Sequence, residues 1–342
     1  MLTGRWRAVD DLRRLINGYQ VTQAIHVAAE LGIADLLADG ARTSEELAAA
    51  TGSQPRALYR LLRALGAVGV LHEGEDRSFE LSELGAQLRS DVPDSLHGWA
   101  SFVGRPYHRN AWAHLADSIR SGQNAFQQLY GESVWEYRAK RPEESAIFDR
   151  AMSALTFASN AAILDAYDFG RFETVVDVGG GNGALLAAIL DRHPAVRGVL
   201  FDQPHVAANA PAFLAERGLK GRCDVVGGSF FDGVPTGGDA YVLKAIIHDW
   251  EDTEAGKILR TCRRAMTADA ILLVIEQELG GPNERPPAKF SDLNMLVGPG
   301  GRERTGDEYA ALFAAAGFEL TRSVPTAGTL HVYEGAPQPP AS

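Results

Sequence analysis

The sequence predicts an α/β chain in two parts: a mostly parallel sheet covered by helices on both faces, with an antiparallel hairpin at one edge, and ahead of it an all-α, winged-helix module. Three observations predict it. From Thr174 onward, short runs rich in β-branched residues alternate with segments of helical periodicity, which means parallel strands joined by crossover helices. The last two runs are separated only by residues 325–328, too short for a crossover, so they pair antiparallel. Before residue 100 the apolar spacing is helical, and one short hairpin interrupts it.

At 342 residues and 45% hydrophobic composition the chain can bury two cores. A net charge of −11 disfavours nucleic acid and anionic membrane surfaces, and no basic patch offsets it. Only Cys223 and Cys262 occur, neither in a C-x-x-C or Cys/His cluster, so neither a disulfide framework nor a metal site is expected. The N-terminus has no apolar core of signal-peptide length, and no stretch reaches the roughly 18 apolar residues of a membrane span. A cytoplasmic protein is expected.

In chain order, residues 8–38 carry apolar positions at helical intervals, among them Leu12, Leu15, Ile16, Val21, Ile25 and Leu31, which predicts two helices. So rich a stripe, ahead of any self-contained core, reads as an interface. A homodimer is expected, with the partner's first helix closing the substrate pocket. Thr43-Ser44-Glu45-Glu46 then forms a capping box, residues 54–65 a second helix, and residues 68–71 and 79–81 a hairpin. Together these form a winged helix-turn-helix. Residues 41–90 hold six arginines against seven acids, a poor balance for a phosphate backbone, so oligomerisation is favoured over DNA binding. Residues 101–165 form linking helices rich in aromatics, Tyr107, Trp112, Phe126, Trp135 and Phe148 among them, which suit a core or an apolar pocket for a flat ligand. The expected boundaries are 1–100 for the dimerisation module, 101–165 for the linking helices, 166–336 for the sheet domain and 337–342 for a disordered tail.

Within the sheet domain the expected order is strand 174–178, helix 183–192, strand 198–202, helix 205–217, strands 222–227 and 239–244, helix 253–266 and strand 270–276. A loop over 280–288, helices 291–297 and 305–316, and strands 318–324 and 329–333 complete it. The first strand runs into Gly179, Gly180, Gly181, Asn182 and Gly183 before a helix begins. Glycines serve there because the backbone must turn sharply and let a ligand lie against it, although a tight turn without a ligand uses them too. The spacing G-x-G-x-G is one residue shorter than the dinucleotide pattern, which disfavours a nicotinamide cofactor. Twenty-three residues after Gly179 stands Asp202, placed to accept both hydroxyls of a ribose, so a nucleoside site is the favoured reading. Asp177 beside the glycines disfavours phosphate and tolerates a cation, such as the sulfonium and amino group of S-adenosylmethionine.

In open α/β sheets the chemistry sits beyond the carboxyl ends of the strands. There the sequence offers Ser229 and Phe230 to hold an adenine, Lys244, His248 flanked by acids, Glu276 closing a strand, and Glu303 in a glycine- and arginine-rich loop. An imidazole between carboxylates is an arrangement for taking a proton, and His248 is the candidate base; the plainer alternative is a capping histidine. Glu276 as a mere strand end and Glu303 as a solvated charge are equally open.

Asp177-Val-Gly-Gly-Gly, Phe201-Asp202-Gln203-Pro-His205, Leu243-Lys244, His248-Asp249-Trp250, Met295, residues 300–305 and Ala316-Gly317-Phe318 resemble the S-adenosylmethionine-dependent O-methyltransferases of the plant caffeate type and their bacterial relatives that methylate aromatic natural products. The resemblance spans nearly the whole chain. It implies a Rossmann-like methyltransferase domain behind a dimerising winged helix, an antibiotic or other secondary-metabolite pathway, and a phenolic, polyketide-like acceptor. It implies cofactor contacts at Asp177, Gly179, Gly181, Asp202, Gln203, Ser229, Phe230 and Lys244. His248 is then the base, with Glu276 and Glu303 positioning it, and substrate contacts fall on Phe148, Met152, Asp249, Asp292, Asn294 and Met295. Two departures stand out: Ser229 replaces an Asp of the plant pattern, weakening the grip on adenosine, and Asn294 replaces an apolar pocket residue, implying a more polar substrate there. No metal is implied. The bacterial branch also contains members that keep the fold without methylating, so a hydroxylase-, decarboxylase- or cyclase-like role is the alternative.

Overall fold

A computed structural model describes residues 2–92 and 95–339. The chain forms two compact units, one built on residues up to 110 with 141–155, the other on residues 111–140 with those from 156 onward.

In the first unit the expected pair of N-terminal helices is three: Leu2–Ile16, Gly18–Glu30 and Ile33–Leu36. The extra break is at Gly32, whose φ of 65° takes it out of the right-handed helical region. Helix Gly18–Glu30 buries His26, Ala28 and Ala29. Leu12, Leu15, Ile16 and Tyr19, in contrast, are exposed. The capping box at Thr43 forms, with Glu46 Oε2 accepting the Thr43 N–H at 2.8 Å. Helix Pro55–Ala67 follows, and β1 (Arg42–Thr43), β2 (Leu71–Glu73) and β3 (Ser78–Leu81) make a small antiparallel sheet in the order β1-β3-β2. The hairpin thus starts three residues later than its apolar run suggested, because Leu71 pairs with Leu81 and Glu73 with Phe79. This is the winged-helix arrangement.

The second unit carries β4 (Thr174–Val178), β5 (Arg197–Asp202), β6 (Cys223–Gly227), β7 (Ala240–Lys244), β8 (Ile271–Gln277), β9 (Phe318–Pro325) and β10 (Leu330–Pro337). Their order is β6-β5-β4-β7-β8-β10-β9, parallel from β6 to β8 and antiparallel where β10 meets β8 and β9. Val175, Val176 and Val178 are fully buried, as a strand covered on both faces requires. Each such side chain contributes roughly 1.5–3 kcal/mol. The strand order reverses between β4 and β7, and the crevice beyond their carboxyl ends is where such folds bind ligands.

Three expectations need correction. The helix foreseen over 205–217 is two, Pro204–Ala207 and Ala210–Glu216, because Pro211 has no N–H to continue the first. The loop foreseen up to 288 ends earlier: helix Pro286–Val297 starts on two prolines, which suit the first turn of a helix. The tail foreseen as disordered from 337 is held further, since Pro337 ends β10 and the Gln338 N–H donates to the Gly317 carbonyl at 2.9 Å. Residues 340–342 lie outside those described. Among the described residues no helix is long and apolar enough to cross a membrane.

Candidate active site

At the end of β4 the chain turns through Gly179, with φ of 73° and so little room that a Cβ would sit 2.5 Å from the Ile246 side chain. Only glycine meets both conditions. Asp202, ending β5, is tied to this turn: its Oδ2 accepts the Gly181 N–H at 2.8 Å and its Oδ1 the Gln203 N–H at 2.6 Å. Burial raises its carboxyl despite these two bonds. Each oxygen retains a lone pair, so the carboxylate is held in orientation and still accepts hydroxyls.

Asp177 lies beneath the same turn, 2% exposed, with Oδ2 unpaired. Burial pushes it up to about 7, opposed by the charge of Lys244. Lys244, at the end of β7, is pushed down to about 8 by burial, against the pull of Asp177 and Glu276. Phe230 lies against the glycine turn, 3.8 Å from where a Gly179 Cβ would be, and Ser229 beside it accepts the Phe231 N–H. The sequence-derived cofactor residues of β4, β5, β6 and β7 therefore gather at one end of the sheet.

Beyond β7 the chain passes through Ala245 at φ 55° into a 3-10 turn, Ile247–Asp249. A left-handed alanine costs on the order of 1–3 kcal/mol and is kept only where the surroundings dictate it. Here they do. Glu276, fully buried at the end of β8, accepts with Oε1 the N–H groups of Ile246 (3.0 Å), Ile247 (2.8 Å) and His248 (3.3 Å). Its Oε2 faces the ring of His248, whose Nδ1 lies 3.1 Å from it and 3.2 Å from Glu303 Oε1. Neither contact is aligned as a hydrogen bond, so the ring sits between two carboxylates as a charge contact. His248 Nε2 is 3.6 Å from Asp249 Oδ1.

Burial by itself would lower the imidazole; the charges of Glu276, Glu303 and Asp249 outweigh it and hold the ring well above its ordinary 6.5. Burial in turn raises Glu276, and it raises Asp249 to about 6. The ligand atoms of His248, Glu276 and Glu303, the three residues that the resemblance grouped as base and positioning residues, lie within 4.8 Å of one another. One Glu276 oxygen of the cluster is already occupied by three N–H groups.

Glu303 is 1% exposed; its N–H donates to Asp292 Oδ1 at 2.9 Å and its Oε1 accepts from Ser291 at 2.7 Å. Asp292 thus holds the Glu303 loop. Asn294 Oδ1 accepts the Trp112 indole N–H at 3.0 Å, and Met295 is 6% exposed on the same helix. Phe148 and Met152 belong to the other unit, where Phe148 packs edge-on against Phe102.

Two residues were missed as site builders. Arg304 is fully buried and donates to Asp252 Oδ1 (3.0 and 2.8 Å), the Trp250 carbonyl (2.9 Å) and the Ile247 carbonyl (3.2 Å), clamping the turn that carries His248. In sequence it was one more arginine in a charged loop. Trp250 meets Phe230 and Phe231 edge-on at 6.0 and 4.8 Å and stacks on Trp135 at 6.3 Å, joining the base turn to the cofactor side.

Comparison with known proteins places this geometry. The O-methyltransferase domain family matches residues 112–319, and the O-methyltransferase dimerisation domain matches residues 13–91. The chain is 47% identical over 326 residues to a phenazine O-methyltransferase of Lysobacter antibioticus, covering 95% of each. It is 40% identical over 320 residues to an 8-amino-8-demethylriboflavin N,N-dimethyltransferase of Streptomyces davaonensis, covering 92% of this chain and 91% of that one. An O-methyltransferase from neocarzinostatin biosynthesis, solved with S-adenosylmethionine and 2-hydroxy-5-methyl naphthoic acid, superposes with a TM-score of 0.80 at 38% identity, covering 93% of this chain and 96% of that one. The chain belongs to the S-adenosylmethionine-dependent O-methyltransferase family, with that family's dimerisation domain followed by its O-methyltransferase domain.

Proposed function

We propose that the protein methylates a phenolic hydroxyl of an aromatic secondary metabolite, with His248 as general base. The reading is carried by one observation: His248 Nδ1 is held 3.1 and 3.2 Å from the carboxylates of Glu276 and Glu303, leaving Nε2 as the ring nitrogen for an acceptor. Cofactor fit is supported by the unpaired Asp177 Oδ2, which answers a cationic ligand, and by the cradle at Gly179 that a Cβ would fill. Asp202 would take the ribose hydroxyls, Phe230 and Ser229 the adenine side, and Gly181, Gln203 and Lys244 complete the site. When bound, S-adenosylmethionine supplies an electrophilic methyl on a sulfonium.

A phenol with a pKa of about 10 is protonated at pH 7, so its oxygen needs a base as it attacks. The pKa of His248, held above the ordinary value by the charges of Glu276, Glu303 and Asp249 against burial, makes it a stronger base that is scarcer in its neutral form. Glu276 and Glu303 stabilise the imidazolium as it forms. Positioned base catalysis contributes ~10²–10⁴-fold, and aligning the reacting atoms contributes more.

The test is methyl transfer from labelled S-adenosylmethionine to 2-hydroxy-5-methyl naphthoic acid, a hydroxyphenazine and 8-amino-8-demethylriboflavin, with and without EDTA. Transfer to oxygen, lowered ~10²–10⁴-fold but not abolished in His248→Ala and indifferent to EDTA, is expected. Transfer to the flavin amine alone would make the protein an N-methyltransferase, the second reading, favoured by the 40% identity to the riboflavin enzyme. Binding without transfer to any acceptor would support a non-methylating role.

A further inference from the structure

We propose that Tyr309, Tyr333 and His331 form, with bridging water, an outlet through which the proton taken up by His248 leaves for solvent behind Glu276 and Glu303. The proposal rests on the base role argued for His248. It begins in strand register: β10 sets His331 opposite Glu276 and Tyr333 opposite Val274. Directly opposed residues of an antiparallel pair share a face, with Cβ atoms about 4.5–5.5 Å apart. Glu278, two residues beyond Glu276 in extended chain, returns to that face, and its Oε2 lies 3.2 Å from His331 Nε2. Tyr309, from helix Gly306–Ala315, stacks on Tyr333 with ring centroids 4.4 Å apart, and the His331 ring lies 6.0 Å from Tyr333 at an interplanar angle of 23°.

Along this column four buried oxygens, Glu276 Oε2, Glu303 Oε2, Tyr309 Oη and Tyr333 Oη, have no hydrogen-bond partner in the protein. Native proteins rarely leave one such atom unpaired, and clusters of them are met by internal water. The far end is open. Glu278, Arg285, Thr305 and Asp307 line a cavity of about 320 Å³, and Arg285 Nη1 is 3.1 Å from His331 Nε2. Leu279 donates its N–H to the Arg304 carbonyl, so the loop runs beside the end of β8: Glu303 faces His248 and Thr305, two residues on, lines the cavity.

Burial, reinforced by the charges of Glu276 and Glu303, holds the Tyr309 phenol well above its ordinary value, so it stays an O–H that donates one proton while accepting another. Burial, joined by the charge of Arg285, also lowers His331, so its ring stays neutral, accepts the Arg285 N–H at Nε2 and lines the outlet beside the cavity. As the acceptor's oxygen bonds to the methyl carbon, the methyl–sulfur bond would break with its electron pair going to sulfur, and the acceptor's O–H proton would go to His248 Nε2. The Nδ1 proton passes to the Glu276 or the Glu303 carboxylate, then by bridging water and the two hydroxyls past His331 to the water of the cavity. The neutral ring resets its tautomer in the cleft once product has left. One proton is released per methyl transferred and nothing else is consumed.

The test pairs crystal structures of the S-adenosylhomocysteine complex, wild type and Tyr333→Phe, at a resolution that shows water, with single turnovers in which an indicator dye reports proton release. Ordered water joining a tyrosine hydroxyl to the Glu276 or Glu303 carboxylate is expected, disturbed in Tyr333→Phe. With the acceptor that turns over best, kcat is expected to fall about 5- to 20-fold in Tyr333→Phe and His331→Ala at unchanged KM and melting temperature, with proton release lagging methyl transfer. Imidazole entering the cavity should restore His331→Ala. Dry oxygens in the wild-type structure, or proton release in both variants at the wild-type rate while His248→Ala is crippled, overturn the outlet alone. A fully active His248→Ala overturns the base reading and the outlet with it.

Discussion

His248 Nδ1 stands 3.1 Å from Glu276 Oε2, while the other oxygen of that carboxylate accepts the backbone N–H of His248 itself at 3.3 Å. One side chain thereby bears both on where the imidazole sits and, with Glu303 and Asp249, on how tightly it holds a proton. In the base role proposed for His248 only the neutral ring acts, so the raised pKa makes that form scarcer, and its share grows as pH climbs through the raised value. We expect kcat/KM with a still-protonated acceptor to rise above pH 7. Glu276→Gln should move that limb back toward about 6.5, its amide oxygen still accepting the three N–H groups. NMR titration of the His248 ring in both proteins measures it, and superimposable curves would refute the account.

Asp177 gives a second pH prediction, on stability. Its folded value, about 7, lies above its ordinary 3.8, so its contribution is present below about pH 4 and is lost as pH rises to 7, because the unfolded chain ionises first. Each tenfold difference in proton affinity between the folded and unfolded chain is worth about 1.4 kcal/mol, making the loss on the order of a few kcal/mol. Asp177→Asn, which cannot ionise, should therefore gain on wild type in melting temperature between pH 5 and pH 8 without cofactor. A constant difference across that range contradicts the buried, raised carboxyl.

Much of this was legible in the sequence for definite physical reasons. The strands β4, β5, β7 and β8 showed because a doubly covered strand is a continuous apolar run, and the cofactor turn showed because positive φ and close approach call for glycine. The capping box at Thr43 formed where its spacing placed it. What was hidden depends on chain segments far apart in sequence. Nothing near Arg304 reveals that its guanidinium will be buried against the carbonyls of Ile247 and Trp250, and nothing near Glu276 reveals that it will hold three N–H groups of the turn that follows β7. The rise in the His248 pKa was hidden for the same reason: Glu276 and Glu303 were expected beside the ring, but how close their charges come is set only in the fold.

Gly301 packs directly on the base turn. A Cβ there would lie 2.2 Å from the His248 carbonyl oxygen and 2.2 Å from the Asp249 carbonyl carbon, backbone atoms that no rotamer change can move. Gly301→Ala is thus expected to displace the turn, costing ~1–3 kcal/mol as overpacking does. Turnover should fall at least tenfold, while S-adenosylhomocysteine affinity, proposed to be set at β4 and β5, stays within about twofold. Calorimetry and initial rates separate the two, and an equally active Gly301→Ala shows the turn to be looser than this contact requires.

The cofactor site is tested at Asp202. Its oxygens hold the Gly181 and Gln203 N–H groups and, in the proposed site, take the ribose hydroxyls, so Asp202→Ala should cost the ~1.5–3 kcal/mol of a charged hydrogen-bond partner, about 10- to 150-fold in Kd. Asp202→Asn, which keeps one acceptor, should lose less. Titration calorimetry with S-adenosylmethionine reads both, and full affinity in Asp202→Ala would move the ribose elsewhere.

Leu12, Leu15, Ile16 and Tyr19 are 58, 69, 64 and 54% exposed on the N-terminal helices, within or beside the segment matched by the dimerisation domain. An apolar row this exposed is unfavourable in water, and a second copy offering the same row covers both at once in an isologous contact. Wild-type protein should therefore scatter light as a dimer at micromolar concentration. Leu15→Asp with Ile16→Asp places two charges in the middle of the row, and burying even one unpaired charge costs more than an apolar contact returns. The double variant should be a folded monomer, since neither side chain contributes to the buried cores. A monomeric wild type, or a double variant that stays dimeric, would assign the interface to another surface.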